Sequence, residues 1–219
     1  LCRRISAPGL RPFAVELRSH PQYGNTAGSD LDRPWGRFDT LTLWCEDVRR
    51  SMEGFEQVVA LQSTVFPPEE SYSINQILEL CTLETVLYKS FWNRNRLCGL
   101  LFFNVGRTMV YLFYLAVCED QRSKGLGTSL LCWLKERYPD KSIVANIEPV
   151  GFNAANEAQR EMRYAFYRRN GFRRLSWRMC DSSRLYDIIS TSDFFDSRQY
   201  MEMILELGFG AYEPRIIPG

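Results

Sequence analysis

Apolar residues recur along this chain at two spacings, and the order in which the spacings alternate outlines a fold. Residues 38–44 alternate loosely and predict a strand. Residues 51–65 place Phe55, Val58, Val59 and Gln62 on adjoining turns and predict a helix, stopped by Phe66-Pro67-Pro68. Ile74, Ile77, Leu78 and Cys81 follow at helical spacing and predict a second, shorter helix. Residues 85–92, 96–105 and 108–118 are rich in aromatic and branched side chains. Asn93-Arg94-Asn95 and Gly106-Arg107 separate them, which reads as three consecutive antiparallel strands. The period then changes. Residues 128–138 put Leu130, Leu131, Leu134 and Tyr138 on one helical face, and residues 141–147 read as a strand. A helix over 157–169 ends at Gly171, where a left-handed cap belongs. A hairpin over 173–180 and 184–190 and a last helix over 197–207 complete the pattern. The sum is an α/β mixture with a largely antiparallel first half and a strand–helix–strand crossover in the middle.

Residues 1–36 break this regularity. They hold Pro8, Pro12, Pro21 and Pro34 with Gly9, Gly24, Gly28 and Gly36, and predict a disordered or loosely packed extension. The remainder predicts one domain over 37–210 and a tail over 211–219, a division that fits a chain of 219 residues.

Composition narrows the chemistry. Lys plus Arg is 27 and Asp plus Glu is 26, a net charge of +1, so a strongly basic nucleic-acid binder is not expected. The seven cysteines are odd in number, none forms Cys-x-x-Cys, and most lie in apolar runs. They read as free thiols in a reducing compartment, hence a cytoplasmic protein. No stretch reaches about 18 uncharged apolar residues, so no membrane partner is expected. His20 is the only histidine, which argues against histidine-built zinc sites, Ser-His-Asp triads and Cys-His dyads; no metal is expected. What remains is chemistry by carboxylates, tyrosines, backbone amides or a bound co-substrate.

Residues 117–128, Val-Cys-Glu-Asp-Gln-Arg-Ser-Lys-Gly-Leu-Gly-Thr, carry the strongest signal. They join a buried strand to an amphipathic helix. The first-turn amides of a helix have no internal partners and suit an anion. Gly125 and Gly127 permit close approach of the backbone, and Arg122 and Lys124 add positive charge. Neither the Gly-x4-Gly-Lys-Ser/Thr loop nor a three-glycine dinucleotide fingerprint is present.

Two motifs in order resemble the GNAT superfamily of acyl-CoA-dependent N-acyltransferases. Arg122-Ser123-Lys124-Gly125-Leu126-Gly127 matches its Gln/Arg-x-x-Gly-x-Gly/Ala loop. Tyr167-Arg168-Arg169-Asn170-Gly171-Phe172 matches its Tyr-x-x-x-Gly-Phe helix end. The resemblance covers about residues 38–207. Phe66-Pro67-Pro68-Glu69-Glu70 and the stretch 186–207 are similar to a bacterial branch. Glu119 and Arg160 depart from it, standing where many members have Pro and Asn.

The resemblance implies a mixed, mostly antiparallel central sheet flanked by helices, with one parallel β-α-β crossover. It implies acetyl-CoA lying between splayed strands 108–118 and 141–147. The pantetheine would pair with the backbone of Leu115, Ala116 and Val117, and the pyrophosphate would sit on amides from Arg122 to Thr128, including Ser123, Lys124, Gly125, Leu126 and Gly127. The implied activity is transfer of an acetyl group to a primary amine of a small molecule or protein, by direct attack. An alkyl amine with pKa near ~10.4 must first lose a proton. Glu148 is the first candidate base. Glu69 and Glu70 come second and would wall the acceptor site. Tyr167 is the candidate acid for the leaving thiolate. The competing reading is a non-catalytic acyl-CoA-binding sensor or scaffold. A monomer and a homodimer fit the sequence equally.

Overall fold

The structure is a computed structural model that describes residues 43–66, 71–122, 124–152, 154–181, 184–208 and 214–219. Its centre is one eight-stranded sheet. The strands are β1 (Trp44–Asp47), β2 (Val86–Asn93), β3 (Arg96–Val105), β4 (Met109–Val117), β5 (Ser142–Ile147), β6 (Arg173–Asp181), β7 (Arg184–Ser190) and β8 (Arg215–Pro218). Their spatial order is β1-β2-β3-β4-β5-β7-β6-β8. Each neighbouring pair is antiparallel except β4 and β5, which run parallel. That is the expected mixed sheet with its single crossover.

Among the described residues, five α-helices cover the two faces. α1 (Phe55–Val65), α2 (Ile74–Leu80) and α5 (Ser197–Leu207) bury Val58, Ile77 and Tyr200 in one apolar layer. α3 (Leu126–Arg137) and α4 (Glu157–Arg169) bury Leu130, Leu134 and Phe166 in the other. β4 is buried along its whole length because it has helices on both faces and strands on both sides.

Several boundaries differ from the sequence pattern, among them the start of α3, which lies at Leu126 and not at 128. The first strand begins at Trp44, and residues 38–42 of the expected 38–44 segment lie outside the described residues. α1 starts at Phe55, not 51, because Gly54 turns left-handed at φ 74° ahead of it. The expected tail contributes β8, whose Ile216 pairs with Met179 on β6. The expected extension over 1–36 lies outside the described residues.

β4 carries one irregularity that shapes the site. Phe102 pairs with Tyr114 but Phe103 pairs with Leu112, so Phe113 is an extra residue on β4. The side chains record the same event: Phe113 and the adjacent Tyr114 both enter the α1/α2/α5 layer, against the alternation of a regular strand. This is a β-bulge, which bends its strand and increases its twist.

Candidate active site

The bulge lies at the point where β4 and β5 part. Their parallel ladder runs from Met109 opposite Ser142 to Leu112 opposite Ala145, and goes no further. Beyond it, β4 stays paired to β3 up to Val117 while β5 pairs with β7, so a fork opens between them. Alternate residues of an antiparallel strand direct their main-chain groups to the partner. The Cys118 N–H donates to the Cys98 carbonyl at 2.9 Å, which sets the phase. Ala116 therefore faces β3, and Leu115 and Val117 turn their N–H and C=O groups into the fork. The Val117 carbonyl accepts a bond from Arg122 Nε at 3.3 Å, as that phase requires. Of the three backbone positions expected to meet a pantetheine arm, Leu115 and Val117 face the opening and Ala116 does not.

Below the fork the chain makes one 3-10 turn, Glu119–Gln121, and then enters α3. Gly125 precedes the helix at φ 77°, a left-handed conformation that a Cβ disfavours. The first helical bond runs from the Ser129 N–H to the Gly125 carbonyl at 3.0 Å, so the amides of Leu126, Gly127 and Thr128 precede the ladder. Lys124 is exposed beside them, and Ser123 lies outside the described residues. Gly127 has a second reason to be glycine. A Cβ there would lie 3.1 Å from Phe166 Cζ, so the absent side chain lets α4 pack against the start of α3.

Glu148 follows the last residue of β5. Its Oε1 accepts from Arg160 Nη2 at 2.9 Å and its Oε2 from Arg163 Nη1 at 2.8 Å. Asn156 adds a longer contact at 3.4 Å. Burial pushes the Glu148 carboxyl up, but the hydrogen bond and charge of Arg163 and the charge of Arg160 outweigh it and leave it below its ordinary value. Glu148 is thus an ionised, doubly clamped carboxylate. It lines a cavity of about 560 Å³ with Pro149, Phe152, Arg160, Arg184 and Tyr186. Sequence reasoning missed Arg163. Its signal was the three-residue spacing from Arg160, which puts both guanidiniums on one face of α4.

Tyr167, one turn beyond Arg163, is wholly buried between Phe166 and Phe172, with ring centroids 5.2 and 5.1 Å away. Burial raises its phenol above the ordinary value, so it stays protonated at neutral pH. α4 therefore carries both Tyr167 and the two arginines that hold Glu148. Glu69 and Glu70 lie outside the described residues. Glu157, the first residue of α4, accepts from the Gly151 and Ala154 amides.

No protein-family model matches the chain, and no curated protein does. Solved structures do match. A GNAT-family protein from Bacteroides thetaiotaomicron, described as an acetyltransferase, superposes with a TM-score of 0.59 at 17% identity, over 78% of this chain and 99% of that one. The aminoglycoside 6'-N-acetyltransferase of Enterococcus faecium gives 0.53 at 14% identity, over 70% and 98%. The PaiA N-acetyltransferase of Thermoplasma acidophilum, in complex with coenzyme A, gives 0.50 at 16% identity, over 69% and 99%. Each neighbour is matched over nearly its whole length, and this chain has the GNAT acyl-CoA N-acyltransferase fold.

Proposed function

We propose that the protein is an N-acetyltransferase that binds acetyl-CoA in the β4/β5 fork and transfers its acetyl group to an amine held in the Glu148 cavity. The observation that carries this reading is the fork itself: two parallel strands parted by a bulge, with a glycine-started helix at the foot of one arm. The residues fit the co-substrate. Main-chain groups of Leu115 and Val117 face the fork and can pair with the amides of an extended pantetheine, as an added strand would. The amides of Leu126, Gly127 and Thr128 offer donors to a diphosphate, reinforced by the helix dipole. The coenzyme A complex of the Thermoplasma neighbour supports the same choice.

Acetyl-CoA supplies an activated carbonyl; the protein must manage two protons around it. The amine loses one as its nitrogen forms the new C–N bond, and the departing thiolate gains one as the C–S bond breaks. Tyr167 serves as the acid, since burial keeps its proton in place until a thiolate appears beside it. Glu148 serves at the other end. With both oxygens already bonded to arginines, it acts by orienting a water or the amine at the cavity floor and passing the proton to solvent.

That clamp also favours a second reading, a CoA-binding module without turnover, because a carboxylate stabilised in its charged form is a weak proton acceptor. Calorimetry with CoA, followed by thiol release from acetyl-CoA across a panel of amines, separates the two. Binding heat with amine-dependent thiol release supports the enzyme, and binding heat without release supports the module. Tyr167→Phe should lower turnover about 100-fold and leave the CoA Kd within about twofold.

A further inference from the structure

Past the vertex of the fork no ladder joins β4 to β5, yet one buried polar cluster spans the gap. Asn146 is the first residue of β5 beyond the last parallel pair, and it is wholly buried. Its Nδ2 donates to the Tyr111 hydroxyl at 3.0 Å, and its Oδ1 accepts from the Tyr200 hydroxyl at 2.7 Å. Tyr111 stands on β4 below the vertex, opposite Val144, and Tyr200 reaches in from α5. The two rings meet edge to face with centroids 5.6 Å apart. Gln199, next to Tyr200, accepts from the Thr108 N–H at 3.0 Å and ties the same helix to the start of β4. The cluster lies in an apolar layer, where the only good geometry is the one that satisfies each polar atom.

We propose that Asn146 is a positioning residue: through Tyr111 and Tyr200 it fixes the angle at which β5 leaves β4, and thereby sets the affinity of the fork for acyl-CoA. The proposal rests on the fork being the CoA cleft. A parallel ladder left to itself keeps pairing. The bulge at Phe113 turns β4 aside, and something must hold β5 against following or drifting further. The amide of Asn146 does so by bonding to β4 on one side and to α5 on the other. One amide thus joins three elements at the point where the width of the cleft is decided. α5 becomes part of the binding site without touching the ligand.

The test is CoA calorimetry on the full chain, with a thermal melt of each variant. Asn146→Leu should raise the CoA Kd about tenfold, the equivalent of one buried hydrogen-bonding partner lost. Tyr111→Phe and Tyr200→Phe should each raise it about threefold, and their combination should exceed neither Asn146→Leu nor the product of the singles, since both act through one amide. Tyr88→Phe is the control. Tyr88 stands on β2, two strands from β4; the change deletes a buried hydroxyl bonded to Gln62 of α1 and should lower the melting temperature without moving the Kd. A folded Asn146→Leu that keeps its Kd within about twofold overturns the proposal, as does a control that weakens CoA as much as the variants do. If Asn146→Leu does not fold, the two tyrosine variants decide the matter, each lacking a single oxygen. A wild-type chain that gives no heat with CoA removes the cleft reading itself. Heat in the wild type with insensitive variants removes this inference alone.

Discussion

Replacing Glu148 by glutamine would leave Arg163 facing a neutral amide from a place where it cannot turn to water. The Arg163 side chain is 6% exposed, against 19% for Glu148 and 18% for Arg160. Exposed ion pairs contribute about 0.2–1 kcal/mol, whereas removing one partner of a fully buried pair costs about 3–5 kcal/mol. This cluster has one buried guanidinium and two half-buried partners, so the expected loss is about 2–3 kcal/mol. A domain of this size loses about 2–4 °C of Tm per kcal/mol, which puts the drop at about 4–12 °C. The arginines hold the Glu148 carboxyl below its ordinary value despite burial, and this fixes the sign of the pH dependence. The clamp contributes fully above the unfolded-state value, about 4.3, and its contribution is lost as pH falls through the folded value. Urea denaturation followed by circular dichroism at pH 7 and pH 3 should show a wide gap between wild type and Glu148→Gln at the first and a narrow one at the second. Adding Arg163→Met should restore part of the loss, because the stranded charge is then gone. A gap below about 0.5 kcal/mol at pH 7, or one that persists undiminished at pH 3, would refute the reasoning.

Other sites make distinct demands. Gly125→Ala forces a Cβ into φ 77°; it should cost about 1–2 kcal/mol in the melt and weaken CoA in calorimetry as the first-turn amides shift. Gly127→Val should destabilise by about 1–3 kcal/mol, since the new side chain meets the Phe166 ring, and Phe166→Ala in the same background should relieve part of it. Burial pushes the Cys81 thiol up to about 12 and the Cys118 thiol up to about 11. Iodoacetamide at pH 8 should therefore label them slowly in the native protein and rapidly in urea, and fast native labelling would contradict their burial.

The elements that the sequence made legible are those with a local cause. The three aromatic strands, the capped helix at 157–169 and the hairpin at 173–190 each carry their own period and their own stop signal. β3, α4, β7 and α5 lie where the pattern puts them. The start of α1 was misplaced because its limit is set by a left-handed glycine packed under Trp92, a contact between residues 38 positions apart that no window of sequence contains. β8 was missed for a like reason. Four residues at the edge of a sheet have no period of their own, and only the partner β6 makes them a strand.

The site divides along the same line. The turn before α3 was legible because Gly125 adjoins in sequence the helix it precedes, and it is left-handed there. The clamp on Glu148 was half legible: the spacing of Arg160 and Arg163 was visible, their target was not. The fork was expected only through the family resemblance, and the bulge that opens it was hidden. Phe113 and Tyr114 read as two more aromatic residues in a buried run, since in a strand covered on both faces an inserted residue leaves the hydrophobic pattern unbroken. The bulge shows in the register, where Phe103 pairs with Leu112 and skips Phe113, and in the shared layer of Phe113 and Tyr114. Asn146 was equally hidden, a polar residue in a largely apolar strand, satisfied by two tyrosines 35 and 54 positions away. A strand buried on both faces can take up a bend without a trace in composition. An isolated Asn within an apolar run beside a parallel crossover is therefore a mark worth testing as the prop of a fork, and the Kd of Asn146→Leu measures whether that holds here.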